Sequence, residues 1–208
     1  MKKLIIPSYL FSSLPIFLVS GPFIPDLILS TTTLFVLYVV VKEKDFEIFH
    51  NFFFKFFIII SFSFLISSIL SDDILFSFKS SLFYFRFILF AIVINYLCHK
   101  TNFLKILFIV TIFSMLIVAL DAYWEFVFDK NFFFKTKTDD PARLGGLFGE
   151  ELILGSYLAR SLPIICGLYL YFYYVNKSFK KLFYLFLVFI YLVIFLSGER
   201  TAFLLSTL

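Results

Sequence analysis

Apolar residues run along this chain in long blocks, each broken by a short polar cluster. A helix needs about 20 apolar residues to cross the hydrocarbon core of a bilayer. By that measure, spans fall near residues 4–21, 24–41, 52–70, 81–97, 103–122, 151–174 and 182–197, and an eighth starts near Ala202 and is cut off at Leu208. The pattern predicts an all-α fold: a polytopic membrane helix bundle of about seven complete spans plus a truncated eighth. It forms one transmembrane domain over residues 1–208, incomplete at its C-terminus, with an outer loop at 121–151. Gly21-Pro22 with Pro25 predicts a tight outer turn between the first two spans.

The polar clusters alternate in sign. Lys2 and Lys3, the segment from Lys42 to His50 with Lys55, then His99, Lys100 and Lys105, and finally Lys177, Lys180 and Lys181 fall on one side. Asp72-Asp73, the segment from Asp121 to Glu151, and Ser197-Gly-Glu-Arg-Thr201 fall on the other. Lysine-rich loops collect in the cytoplasm, which predicts a cytoplasmic N-terminus. Met1-Lys2-Lys3 before an apolar run imitates a signal peptide. However, no small-x-small cleavage site follows and Pro7, Pro15 and Pro22 punctuate the segment, so a retained first helix is expected.

Composition narrows the class further. The chain is 62% hydrophobic and 15% charged, with a mean hydropathy of +1.01, whereas soluble domains are about half apolar and a quarter charged. The 35 phenylalanines fit an AT-rich coding sequence and receive no functional weight. A net charge of +4 without a long basic run gives no nucleic-acid partner. Cys98 and Cys166 imply neither a disulfide framework nor a metal site.

His50 and His99 both fall on the cytoplasmic side, so no Ser-His-Asp or Cys-His set forms outside. Asp72-Asp73 and Asp139-Asp140 are adjacent doublets, not the Asp-x-Asp of metal-diphosphate sites. No metal and no cofactor are expected.

The arginines break the charge rule. Arg86, Arg143, Arg160 and Arg200 all fall on the outer side. An arginine held there usually has a partner, and its planar fork grips a phosphate or carboxylate with two parallel hydrogen bonds. Arg143 precedes Gly145, Gly146 and Gly149, which permit close backbone approach, and Glu150 and Glu151 then open an apolar helix. Free N–H groups at a helix N-terminus beside an arginine make an anion site. The competing reading is a turn whose two glutamates cap the helix dipole. This is not a Walker loop, since no Gly-Lys-Ser/Thr follows.

Arg160 lies about nine residues into that helix, on the order of 13 Å deep. A charge there costs about 2.5–3.5 kcal/mol on insertion scales and calls for a polar cavity and a counter-charge, or a structural ion pair. Asp26 and Arg86 are possible neighbours. Arg86 opens a span after Phe83, Tyr84 and Phe85, and either snorkels or ties helices together. Asp26 either caps the second helix or pairs with an arginine. In Ser197-Gly-Glu-Arg200, a Ser-Gly break at membrane depth is tolerated where it lines a cavity or is buried in protein; Glu199 either neutralises Arg200 or joins the site. Trp124 beside Tyr123 reads as an interfacial anchor, and Lys130, Lys135 and Lys137 as a solvated face.

Three features together resemble the O-antigen ligase and polymerase superfamily: Gly21-Pro-Phe-Ile-Pro-Asp26, Arg143-x-Gly-Gly-x-Phe-Gly leading into a span with Gly155 and Arg160, and Ser197-Gly-Glu-Arg200-Thr-Ala-Phe-Leu204, which looks like the family's Arg-x-x-x-Leu motif. The resemblance covers essentially the whole chain but only the N-terminal part of a family member. It implies a GT-C-like bundle in the bacterial inner membrane and a metal-independent, inverting glycosyltransferase. The glycan passes from undecaprenyl diphosphate to lipid A-core in a ligase, or to another glycan unit in a polymerase. Arg143, Arg200 and Arg160 are then the expected catalytic residues, stabilising diphosphate charge. Arg86, Gly145, Gly146, Gly149, Glu150 and Glu199 are expected to bind the diphosphate or glycan. Membrane lipids complete the expected partners. The family's histidine belongs to a large loop beyond this chain, so the chain alone is expected to be inactive.

Two other classes compete. A transporter or flippase of lipid-linked glycans needs a charged path through the midplane, and the inner halves of these spans are nearly charge-free. A structural membrane protein would disperse its arginines, each with its own acid. The transferase reading expects Arg143, Arg160 and Arg200 to converge on one outward-opening cavity.

Overall fold

Every regular element among the described residues is a helix. The structure is a computed structural model and describes residues 2–45, 49, 52–130, 132, 143–149, 151–175 and 180–207. In chain order the helices are α1 (Ile5–Ser12), α2 (Leu14–Phe17), α3 (Phe23–Glu43), α4 (Phe52–Ile69), α5 (Ile74–Lys100), α6 (Phe103–Phe128), α7 (Leu154–Val175), α8 (Lys180–Leu196) and α9 (Arg200–Thr207). Single 3-10 turns at Lys2–Leu4, Leu18–Ser20 and Gly146–Phe148 accompany them.

Among the described residues, α3, α5 and α6 are long and apolar enough to cross a membrane. Large side chains such as Phe23, Phe62, Leu75 and Phe76 stand exposed on helix surfaces. Apolar faces of that kind are compatible with lipid as the surrounding solvent.

The first predicted span differs from expectation. Residues 4–21 form two short helices and two 3-10 turns instead of one helix. Pro15 has no N–H to offer the Phe11 carbonyl, so α1 stops at Ser12. Pro7 is tolerated because it lies in the first turn of α1, where amides have no intrahelical partner. Gly21 turns the chain with φ +91 before Pro22 and α3.

The chain forms two compact units. The first comprises residues 1–14 and 22–106. Here α3 packs on α1 and α5, and α4 pairs with α5. A serine seam joins that pair: Ser68 and Ser81 hydroxyls bond to each other, Ser68 donates to the Ser77 carbonyl at 3.2 Å, and Ser81 to the Phe64 carbonyl at 3.3 Å. Small hydroxyl side chains suit such seams because they let helix backbones approach closely.

The second unit comprises residues 15–21 and 107–208. Its core joins Met115, Val118 and Ala122 of α6 to Leu154 and Leu158 of α7, to Ile190 and Ile194 of α8, and to Ala202 of α9. The Pro15 carbonyl enters this unit as an acceptor, taking hydrogen bonds from Ser114 Oγ at 3.0 Å and Tyr157 OH at 2.9 Å.

Candidate functional site

The glycine turn after Arg143 is built around a buried carboxylate. Glu125, one turn beyond Asp121 on α6, is 3% exposed. Its Oε2 accepts the Gly146 amide at 2.5 Å, and its Oε1 the Gly145 amide at 3.4 Å. Gly146 has φ +54, which favours glycine, and a Cβ there would lie 2.5 Å from Leu154 Cδ1 and force that methyl group to shift. Gly149 follows with φ +61 and open space around it. The amides expected to cradle a diphosphate at Gly145 and Gly146 therefore already hold an anion of the protein itself.

The same holds one step further along the chain. The helix expected to open at Glu150-Glu151 begins at Leu154. Its first amides, Gly155 and Ser156, donate to Glu199 at 2.8 and 3.0 Å, and Ser156 Oγ adds a third bond at 2.5 Å. Glu199 is 7% exposed. Its carboxylate caps α7 from another helix junction, satisfying orphan donors and the positive helix end together. Glu151 is exposed and lies before the helix; Glu150 lies outside the described residues.

The Ser197-Gly198 break is tied down on both sides. The Ser197 carbonyl accepts the Leu144 amide at 3.3 Å, and Ser197 Oγ donates to the Ile194 carbonyl at 2.7 Å. Gly155 packs so closely here that an added Cβ would collide with Ser197 Oγ. The three polar segments singled out in the sequence, around Arg143, Gly155 and Glu199, thus meet in one stitched junction.

The four arginines part company. Arg143 donates from Nη2 to the Leu152 carbonyl at 2.8 Å, bracing the turn across its base, while its buried Nε has no partner among the described residues. Arg86 belongs to the first unit, where it binds Asp26 at 2.9 Å and lies 4.7 Å from the centre of the Phe87 ring. It ties α5 to the first turn of α3, the alternative raised for both residues.

Arg160 and Arg200 are exposed, and neither forms an ion pair or hydrogen bond with a described residue. Arg160 lines a cavity of 890 Å³ between α7, α8 and α9, whose walls include Leu162, Leu187, Val188 and Leu205. Arg143 and Arg200 are not among its lining residues, so the expected convergence of three arginines on one cavity reduces to Arg160. Because α7 begins at Leu154, Arg160 lies shallower than the nine residues expected, and it has no counter-charge among the described residues.

Two site features escaped the sequence. Asp121 is fully buried; its Oδ1 accepts the Phe132 amide at 2.8 Å and its Oδ2 has no partner among the described residues. Glu125 was visible only as one acid among many in the outer segment. The available signal was their spacing of four residues, which puts both acids on one helix face. Trp124 packs against Phe128 with ring centres 4.2 Å apart and the planes tilted by 36°. No group of three or more metal-ligating residues occurs among the described residues.

No protein-family model, curated protein or solved structure matches this chain.

Proposed function

We propose that this chain provides the donor-binding part of a membrane glycosyltransferase of the O-antigen ligase type. It takes a glycan from undecaprenyl diphosphate at the periplasmic face of the bacterial inner membrane and passes it to lipid A-core or another acceptor. O-antigen polymerase is the variant of the same reading with a glycan unit as acceptor. In this reading about seven helices cross the bilayer with the N-terminus inside, in a GT-C-like arrangement.

The observation that carries the proposal is Arg160, a guanidinium with no anion among the described residues, on a cavity with apolar walls. The glycine turn and the α7 N-terminus are closed by Glu125 and Glu199, so the anion-binding capacity left open is that of arginine side chains. A phosphate takes two parallel hydrogen bonds from such a group. The isoprenoid chain runs along the apolar wall, and Arg200, at the start of the neighbouring α9, faces the developing charge. Gly145, Gly146 and Glu199 act as scaffolding for the arginines in place of the direct contacts expected of them.

Equilibrium binding of undecaprenyl diphosphate to the chain in nanodiscs tests this. Arg160→Gln is expected to weaken binding roughly tenfold or more, since a hydrogen bond to a charged group contributes about 1.5–3 kcal/mol. Arg200→Gln is expected to weaken it as well, and Arg86→Gln to leave it unchanged. Equal affinity for wild type and Arg160→Gln would sink the proposal.

A further inference from the structure

Pro163 sits in the interior of α7. Proline carries no N–H, so the carbonyl four residues earlier, that of Ala159, loses its helical donor. No loop amide or side chain among the described residues replaces it. Ala159, Arg160 and Pro163 all line the 890 Å³ cavity. A carbonyl short of its i+4 donor and a cation with no anion among the described residues therefore occupy successive residues of one wall.

Each is costly in an apolar setting. A polar group buried without a hydrogen bond is destabilising, and a proline-broken helix is tolerated in lipid where something else satisfies the freed backbone group. A bare anion answers Arg160 alone. It repels a carbonyl, which requires a donor such as a hydroxyl. The remaining walls are mostly apolar, with Tyr191 and Ser206 the other polar side chains.

We propose that this cavity selects lipids whose phosphate is followed by a hydroxyl-bearing headgroup. Arg160 takes the phosphate, the Ala159 carbonyl released by Pro163 accepts the hydroxyl, and the lipid chain lies along Leu162, Leu187 and Leu205. The inference rests on the reading of the cavity as an anionic-lipid site and adds what the site discriminates.

Cys166 lines the same cavity and Cys98 lies in the other unit, so the chain carries its own reporter and control. The full chain is placed in phosphatidylcholine nanodiscs containing either phosphatidylglycerol or phosphatidic acid with matched acyl chains, and N-ethylmaleimide alkylation of each cysteine is timed. The comparison is made at about pH 9, well above the second ionisation of a phosphomonoester; there phosphatidic acid is a dianion with more charge than phosphatidylglycerol and no O–H donor, so a preference for phosphatidylglycerol has no origin in charge.

Phosphatidylglycerol is expected to slow Cys166 alkylation several-fold relative to phosphatidic acid, with Cys98 unaffected. Arg160→Gln is expected to abolish protection by both lipids. Pro163→Ala restores the amide donor and favours the helix, so it is expected to fold and to erase the preference. Equal protection by the two lipids, an unchanged preference in Pro163→Ala, or no protection by either lipid overturns the inference. Undecaprenyl diphosphate separates its failure from that of the donor reading. If it still protects Cys166 in the wild type, only the hydroxyl selectivity falls; if it does not, the donor site falls too.

Discussion

Gly155 donates its amide to the Glu199 carboxylate at 2.8 Å, and it does so from a position with no room for a side chain. A Cβ at Gly155 would meet Ser197 Oγ, with Glu199 Cβ at 3.1 Å and Ala202 Cβ at 3.2 Å. Ser197 has no easy retreat, because it is fully buried and its hydroxyl is bonded to the Ile194 carbonyl. The close approach of α7 and α9 therefore depends on one missing methyl group.

That dependence reverses the usual sign of a helical glycine substitution. Gly→Ala in a helix normally gains about 0.5–1 kcal/mol. Gly155→Ala is expected to lose about 1–3 kcal/mol, the typical cost of overpacking. Gly167→Ala in the same helix meets nothing within 4 Å and is expected to gain the usual amount. Thermal unfolding of the two variants in one detergent checks the pair; shifts of the same sign would contradict the packing described.

Tyr157 offers a milder test of the second unit. Its hydroxyl lies 2.7 Å from Ser114 Oγ and 2.9 Å from the Pro15 carbonyl, which Ser114 also reaches at 3.0 Å. Tyr157→Phe removes one donor while Ser114 keeps the carbonyl satisfied. The expected cost is about 0.5–1.5 kcal/mol, that of one hydrogen bond without an orphaned partner. Tyr157→Phe combined with Ser114→Ala leaves the carbonyl bare and is expected to cost more than the sum of the singles, a non-additivity read from a double-mutant cycle in denaturant.

Most helix positions were legible because the length of an apolar block sets the length of the helix. The block at 24–41 became Phe23–Glu43, and 182–197 became Lys180–Leu196. The departures trace to polar residues that serve the helix. α5 starts at Ile74, well before the expected 81, because Asp73 accepts the Phe76 amide at 3.2 Å and Ser80 bonds back to the Phe76 carbonyl. α6 continues to Phe128 because Asp121 and Glu125, which suggest a loop, turn inward to accept backbone amides. The arginines stood out by charge and side, but their partners did not. Arg86 meets Asp26 across 60 residues and Gly155 meets Glu199 across 44. No local period encodes such distances.

The Arg86–Asp26 pair is accordingly expected to behave as a surface tie. Its side chains are 35% and 41% exposed, so solvent screens the attraction and the coupling is expected to be about 0–1 kcal/mol. A double-mutant cycle with Arg86→Gln and Asp26→Asn measures it. Undecaprenyl diphosphate binding is expected to be insensitive to Asp26→Asn.

The two buried carboxylates that close the anion-binding backbone should respond differently to the same isosteric change. Glutamine keeps one acceptor oxygen and replaces the other with a donor. In Glu125→Gln the oxygen can stay on Gly146 at 2.5 Å, leaving the NH2 group opposite the Gly145 amide, which sits at 3.4 Å. Little is lost, because that contact is already long. In Glu199→Gln either choice breaks a good bond. Keeping Ser156 abandons the Gly155 amide at 2.8 Å; keeping Gly155 abandons the Ser156 amide at 3.0 Å, although Ser156 Oγ can turn to accept. Each choice also sets two donors face to face at the crowded start of α7. Glu199→Gln is therefore expected to cost about 1–3 kcal/mol, the penalty of an orphaned buried donor, and Glu125→Gln less. Unfolding of both variants against wild type decides the order. A larger loss for Glu125→Gln would mean that the glycine turn, and not the α7 cap, is the stronger anchor of the junction.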